Sequence, residues 1–99
     1  MSETAADRLV RELGGRLVTS SQDDTSSKYV IEDIETDQES ATRILMGYYT
    51  QSGLVHNERD ADRTLGTYSF RGKGRQMAVN LTVITGSKRL LLDETYLPG

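Results

Sequence analysis

Three cations and two glycines are crowded into residues 70–75, FRGKGR. Such a stretch invites a phosphate, and its spacing decides of what kind. A Walker-type loop needs G-x-x-x-x-G-K-[ST] between a strand and a helix. Here Gly72 and Gly74 are separated by one residue, no Ser or Thr follows Lys73, and the next run, QMAVNLTVI, reads as a strand. The dinucleotide pattern G-x-G-x-x-G fails at Met77. What survives is a basic hairpin tip, Arg71, Lys73 and Arg75, with Tyr68 and Phe70 on the approaching strand. Cations there could meet phosphates and the aromatic rings could stack on bases. The plainer reading is a turn in which glycine supplies positive φ and the cations keep a sheet edge soluble.

The second cluster is HNERDAD, residues 56–62. His56, Glu58, Asp60 and Asp62 alternate, as ligands on one side of an extended segment would. A calcium loop started at Asp60 would need its twelfth ligand at Arg71 and its glycine one residue earlier than Gly66. Zinc would want a second His or a Cys, and the chain has one His and no Cys. No metal and no cofactor is expected. A hydrolase would have to use His56 as base, and no frame such as G-x-S-x-G marks a nucleophile for it. Glu32, Asp33 and Glu35 gather at a strand end, where a solvated acidic surface explains them as well as a working carboxylate pair does.

Five tyrosines carry the remaining chemistry. Tyr48 and Tyr49 are adjacent near a helix end, one expected in the core and one half exposed; Tyr29, Tyr68 and Tyr96 fall on different strands. An exposed tyrosine cluster would favour protein binding, since the ring can be buried while the hydroxyl stays wet.

The elements that position these residues are readable from local pattern. Residues 4–13 form a helix with Ala6, Leu9, Val10 and Leu13 on one stripe, a Thr4–Asp7 capping box and a Gly14–Gly15 stop. Residues 16–21 and 27–34 are strands joined by the polar turn SQDDTSS. Residues 37–52 form a second helix, with Thr36 and Glu39 as its capping box, Ala41, Ile44, Leu45 and Tyr48 as its stripe, and Gly47 where it packs closely on the sheet. Residues 65–71, 76–84 and 88–96 are three strands joined by hairpin-length turns. The order α-β-β-α-β-β-β predicts an α+β fold: an antiparallel sheet of about five strands with two helices on one face.

The chain of 99 residues has the size of one domain, spanning 1–99. The absence of Cys fits a reducing compartment, residues 1–10 carry Glu3 and Asp7 and no apolar run, and nothing approaches a membrane span. A soluble, cytoplasmic protein is expected. Net charge is −3, but residues 1–62 hold 13 acids and 6 bases while residues 63–99 hold 2 acids and 6 bases. That asymmetry points either to solvated faces or to a basic surface for an anionic partner. With no catalytic or cofactor constellation, the leading expectation is a small non-enzymatic protein-binding domain of adaptor, chaperone-like or inhibitor type. It would act by protein–protein contact as a homodimer, without membrane contact. The alternatives are nucleic-acid or polyanion binding through Arg71, Lys73 and Arg75, and a small hydrolase using His56.

Overall fold

The computed structural model describes residues 3–62, 65–72 and 74–98. Helix α1 (Ala5–Leu13) begins at the expected box: the Thr4 hydroxyl accepts from the Asp7 amide and the Asp7 carboxylate accepts from the Thr4 amide, both at 3.1 Å. Strands β1 (Arg16–Gln22) and β2 (Ser26–Glu32) form a hairpin. Its turn is held by Asp23, whose carboxylate accepts from the Thr25 and Ser26 amides at 2.8 Å. Helix α2 (Gln38–Gln51) then crosses to the far side of the sheet. There the chain forms β3 (Val55–His56) and meanders back through β4 (Thr67–Gly72), β5 (Arg75–Ile84) and β6 (Arg89–Pro98).

All pairings of these strands are antiparallel, in the order β1-β2-β6-β5-β4-β3. The α+β class, the two helices and the antiparallel sheet are as the sequence predicts; the strands among the described residues number six. The extra strand, β3, has two residues, too few to display a period. The last strand is inserted between β2 and β5, so the hairpin and the meander become one sheet only when β6 docks.

Alternation sorts each strand. Met77, Val79 and Leu81 of β5, Leu90 and Leu92 of β6, Tyr29 and Ile31 of β2, and Tyr68 and Phe70 of β4 are buried under the helices. Leu9 from α1 and Ala41, Leu45 and Tyr49 from α2 close the core from above. The other sheet face carries Lys28, Thr67, Ser69, Arg71, Gln76, Asn80, Asp93 and Thr95 together with the apolar Val30, Val55, Ala78, Leu91 and Leu97, a mixed face with no helix over it among the described residues.

Two local readings of α2 change. Its N-cap is Asp37, whose carboxylate accepts from the Ser40 amide at 2.7 Å, and not Thr36. Gly47 faces solvent, and a methyl group added there would have nothing within 4 Å, so this glycine does not serve close packing. The helix is instead fastened by Gln38. Its side-chain amide donates to the Leu81 carbonyl at 2.8 Å and accepts from the Val83 amide at 3.2 Å. Beyond the β4 pairing at Asn80, the Gly66 carbonyl accepts from the Leu81 amide at 2.7 Å, and Gln38 serves the Leu81 carbonyl and the Val83 amide.

Candidate functional site

Among the described residues, Arg71 and Arg75 of FRGKGR line one open surface pocket with Gly74 and Gln76, although they leave their strands on different faces. Lys73 lies outside the described residues. Arg71 stands opposite Gln76 on the helix-free face, whereas Arg75, one position away in register, points to the helix side with its guanidinium 5.6 Å from the Tyr96 ring centre. Tyr68 is 4 % exposed and Phe70 1 %, so neither offers a ring face to a base. Tyr68 instead shares a 2.9 Å hydrogen bond with Thr42. The two cations of the next turn are engaged at short range: Lys88 meets Glu35 and Arg89 meets Glu32, each at 2.8 Å. Arg16 reaches Glu32 and Asp33. Two of the six bases of residues 63–99, Lys88 and Arg89, are thus paired with acids of the first part of the chain. The bond to Lys88 holds the Glu35 carboxyl below the usual range.

His56 sits on the helix side of β3, opposite Phe70, with ring centres 5.2 Å apart; Tyr68 is 6.1 Å away. Its Nε2 is buried and makes no hydrogen bond among the described residues. Val55, its neighbour, is the residue opposite Arg71, so the His56 and Arg71 side chains leave β3 and β4 on opposite faces. No group of three or more His, Asp or Glu able to hold a metal is found among the described residues.

The site that the fold does assemble lies elsewhere. Along β6, Leu90, Leu92, Glu94 and Tyr96 alternate inward. Continuing the leucines would give an apolar row, but the third position is a glutamate only 5 % exposed. Ser27, also buried, is its register partner on β2, and Val79 its partner on β5. Above it, the Tyr49 hydroxyl of α2 donates to Glu94 Oε2 at 2.5 Å, and the Tyr96 hydroxyl donates to Oε1 at 3.4 Å. Tyr49 is locked in place by Phe70, 4.7 Å away, and by the edge of Tyr48 at 5.4 Å. Tyr48 donates to the Glu3 carbonyl at 2.6 Å and so ties α2 to the start of α1. Tyr29 accepts from Gln22 Nε2 at 2.9 Å.

Together these groups wall an open-mouthed cavity of about 330 Å³ whose floor includes Met77 and whose mouth includes Asp23 and Ser52. Its ionisable lining consists of three carboxyls, Glu3, Asp23 and Glu94, and four tyrosines, Tyr29, Tyr48, Tyr49 and Tyr96. Among the described residues no Lys or Arg lines it. Glu3 is spoken for by Arg8 at 3.1 Å and Arg11 at 3.3 Å, and Asp23 by the turn amides. Glu94 has hydroxyl donors but, among the described residues, no cation.

The electrostatics follow from that. Burial pushes the Glu94 carboxyl up from the ordinary range, and the two tyrosine hydroxyls oppose the rise because they bond better to the charged form. Burial, followed by the charge of Glu94, holds the Tyr49 phenol well above its ordinary value, and Tyr48 and Tyr96 are raised for the same reasons. All three therefore remain protonated donors at neutral pH. A carboxylate taken out of water without a counter-charge costs several kcal/mol before compensation, which the two hydroxyl donors and the raised pKa of Glu94 offset in part.

The sequence reading did not single out Glu94. Its signal was available in the inward alternation of Leu90, Leu92 and Tyr96, which puts residue 94 on the core face. The convergence of four tyrosines on it was not, because they come from β2, α2 and β6. Comparisons with family models, with curated proteins and with solved structures find no match for this chain. The class that fold and site define is therefore stated in structural terms: a two-layer α+β chain with one solvated sheet face and, on the helix side, an acidic tyrosine-walled cavity. Among the described residues no helix is long and apolar enough to cross a membrane.

Proposed function

We propose that this chain is a small non-enzymatic binding module of adaptor or inhibitor type, acting by protein–protein contact in the cytoplasm, with the tyrosine-walled cavity as its recognition site. The observation that carries the reading is Glu94: a buried carboxylate without a cation among the described residues, at the floor of a cavity open to solvent. Perturbed titratable groups in a concave site are more often functional than groups on plain surfaces. Tyrosine is also the residue that most economically supplies buried contact area together with a polar tip. The cavity is at the small end of the range for ligand pockets, roughly 300–1,000 Å³, which suits one inserted side chain better than a cofactor.

The test is site-specific photo-crosslinking in the native cell. A benzophenone amino acid at Tyr48, on the cavity wall, is compared with one at Lys28, on the solvated sheet face. A discrete adduct from position 48 and none from position 28 is expected. An adduct of twice the chain mass would make the partner a second copy, the homodimer. No adduct from position 48, or equal adducts from both positions, would sink the reading.

A further inference from the structure

We propose that the occupant of the cavity is a basic side chain of the partner protein, the ammonium of a lysine or the guanidinium of an arginine, with Glu94 as its counter-charge and the tyrosine rings as its walls. This rests on the binding-module reading and names the chemistry of that same site.

Three observations converge on a cation. First, the charges that line the cavity among the described residues are all negative, and the one that is deeply buried is the one without a cation. An anionic group entering it would add a like charge at short range in a poorly solvated space. Second, a neutral apolar group would close the mouth over Glu94 and remove its remaining water without replacing it, which is the costly way to bury a carboxylate. A cation turns that cost into an ion pair already backed by the Tyr49 hydroxyl at 2.5 Å, so the acceptor is oriented before the ligand arrives. Third, the tyrosine faces of this site already attract guanidinium groups from within the chain. Arg8 lies 5.7 Å from the Tyr48 ring centre and Arg75 lies 5.6 Å from that of Tyr96, and neither lines the cavity. Their presence shows that two of the four rings carry a face suited to a cation. Arg8 is further held by Glu3 and Gln51, so it is not positioned to neutralise Glu94 itself.

Arg75, over the Tyr96 ring, lies against one wall of the cavity.

The experiment is an NMR titration of the full chain with four capped tripeptides: acetyl-Gly-X-Gly-amide with X = Lys, Arg, norleucine or Glu. Saturable shifts of the Tyr48, Tyr49 and Tyr96 rings and of the residue 94–96 amides are expected with Lys or Arg and not with norleucine or Glu. Glu94→Gln keeps an oxygen for the Tyr49 donor and preserves shape; it is expected to weaken the basic peptide at least about 10-fold by removing the counter-charge. Tyr96→Leu, which leaves Glu94 in place, gives a second, smaller loss. Norleucine binding as tightly as Lys, or Lys and Arg binding unchanged in Glu94→Gln, would overturn the cation assignment and leave the binding module standing. No shift with any peptide overturns the cation assignment as well. The Tyr48 cross-link then separates the two cases: an adduct preserves the binding module, and its absence removes both.

Discussion

Replacing Tyr49 by Phe removes a single hydroxyl and leaves everything else in place. The ring is 2 % exposed and packed on Phe70, so no cavity larger than that oxygen opens. The lost bond is short, 2.5 Å, and its acceptor is a buried carboxyl. A hydrogen bond to a charged group is worth about 1.5–3 kcal/mol, so Tyr49→Phe should cost that much at neutral pH. For a chain of this length that is a fall of roughly 6–20 °C in Tm. The pH dependence carries the stronger test. Glu94 binds its proton more tightly folded than unfolded, because burial raises it above the ordinary value of 4.5. The folded state therefore holds more protons between that value and the folded one, and this carboxyl's contribution to stability falls as pH rises through the window. Tyr49 restrains the rise by favouring the charged form. Without it the window widens upward. The cost of Tyr49→Phe should accordingly be small near pH 4, where Glu94 is protonated in both proteins, and reach its full size only above the window. In a Glu94→Gln background the same change should cost about 0.5–1.5 kcal/mol, as for a neutral acceptor, at every pH. Urea denaturation of the four proteins from pH 4 to pH 8 closes the double-mutant cycle and cancels the titration of the other acids. A Tyr49→Phe cost that is equal at pH 4 and pH 8, or that persists unchanged in the Glu94→Gln background, would refute the reasoning, since the bond would then not be one to a buried carboxylate.

Four further outcomes test how the site and the helices over it are held. Gln38→Leu removes both bonds to β5 and should destabilise by about 1–3 kcal/mol by urea denaturation, because the Leu81 carbonyl and the Val83 amide lose their partner together. Gly66 has φ +71° and a methyl added there would overlap the Leu81 carbonyl oxygen, so Gly66→Ala should cost at least about 3 kcal/mol. By contrast, exposed Gly47→Ala in α2 should stabilise by about 0.5–1 kcal/mol in the same assay. Asp37→Ala should lower Tm by about 5 °C through loss of the N-cap, with Thr36→Ala shifting it by about 1 °C or less; the reverse order would restore Thr36 as the cap.

The site was only partly legible beforehand because its parts differ in range. The Thr4–Asp7 box, the Asp23 turn and the alternation of Met77, Val79 and Leu81 depend on residues within a few positions of one another, and they appear in the structure where the pattern puts them. The α2 cap was misplaced by one residue. Thr36 and Asp37 are both good caps, and the choice falls to the register in which Gln38 meets β5 and Ala41, Leu45 and Tyr49 meet the sheet. Spacing along the hairpin tip does not show which face each side chain takes, although Arg71 and Arg75 still border one surface pocket. Pairing Arg71 with Gln76 sends Arg75 to the other face.

Local sequence, then, determined the element types, the antiparallel meander and the two-helix cover, since each follows from hydrogen bonding and apolar period over a few residues. Tertiary structure decided the rest. The crossing of α2 set the far edge of the sheet, and the insertion of β6 between β2 and β5 brought residue 94 beneath Tyr49, 45 positions away. Long-range ion pairs absorbed Lys88 and Arg89, and no local rule announced them. A buried carboxylate and the rings around it become a site only when distant segments close over them, because the loss of water that gives Glu94 its character is a property of the packed layers and not of the residue.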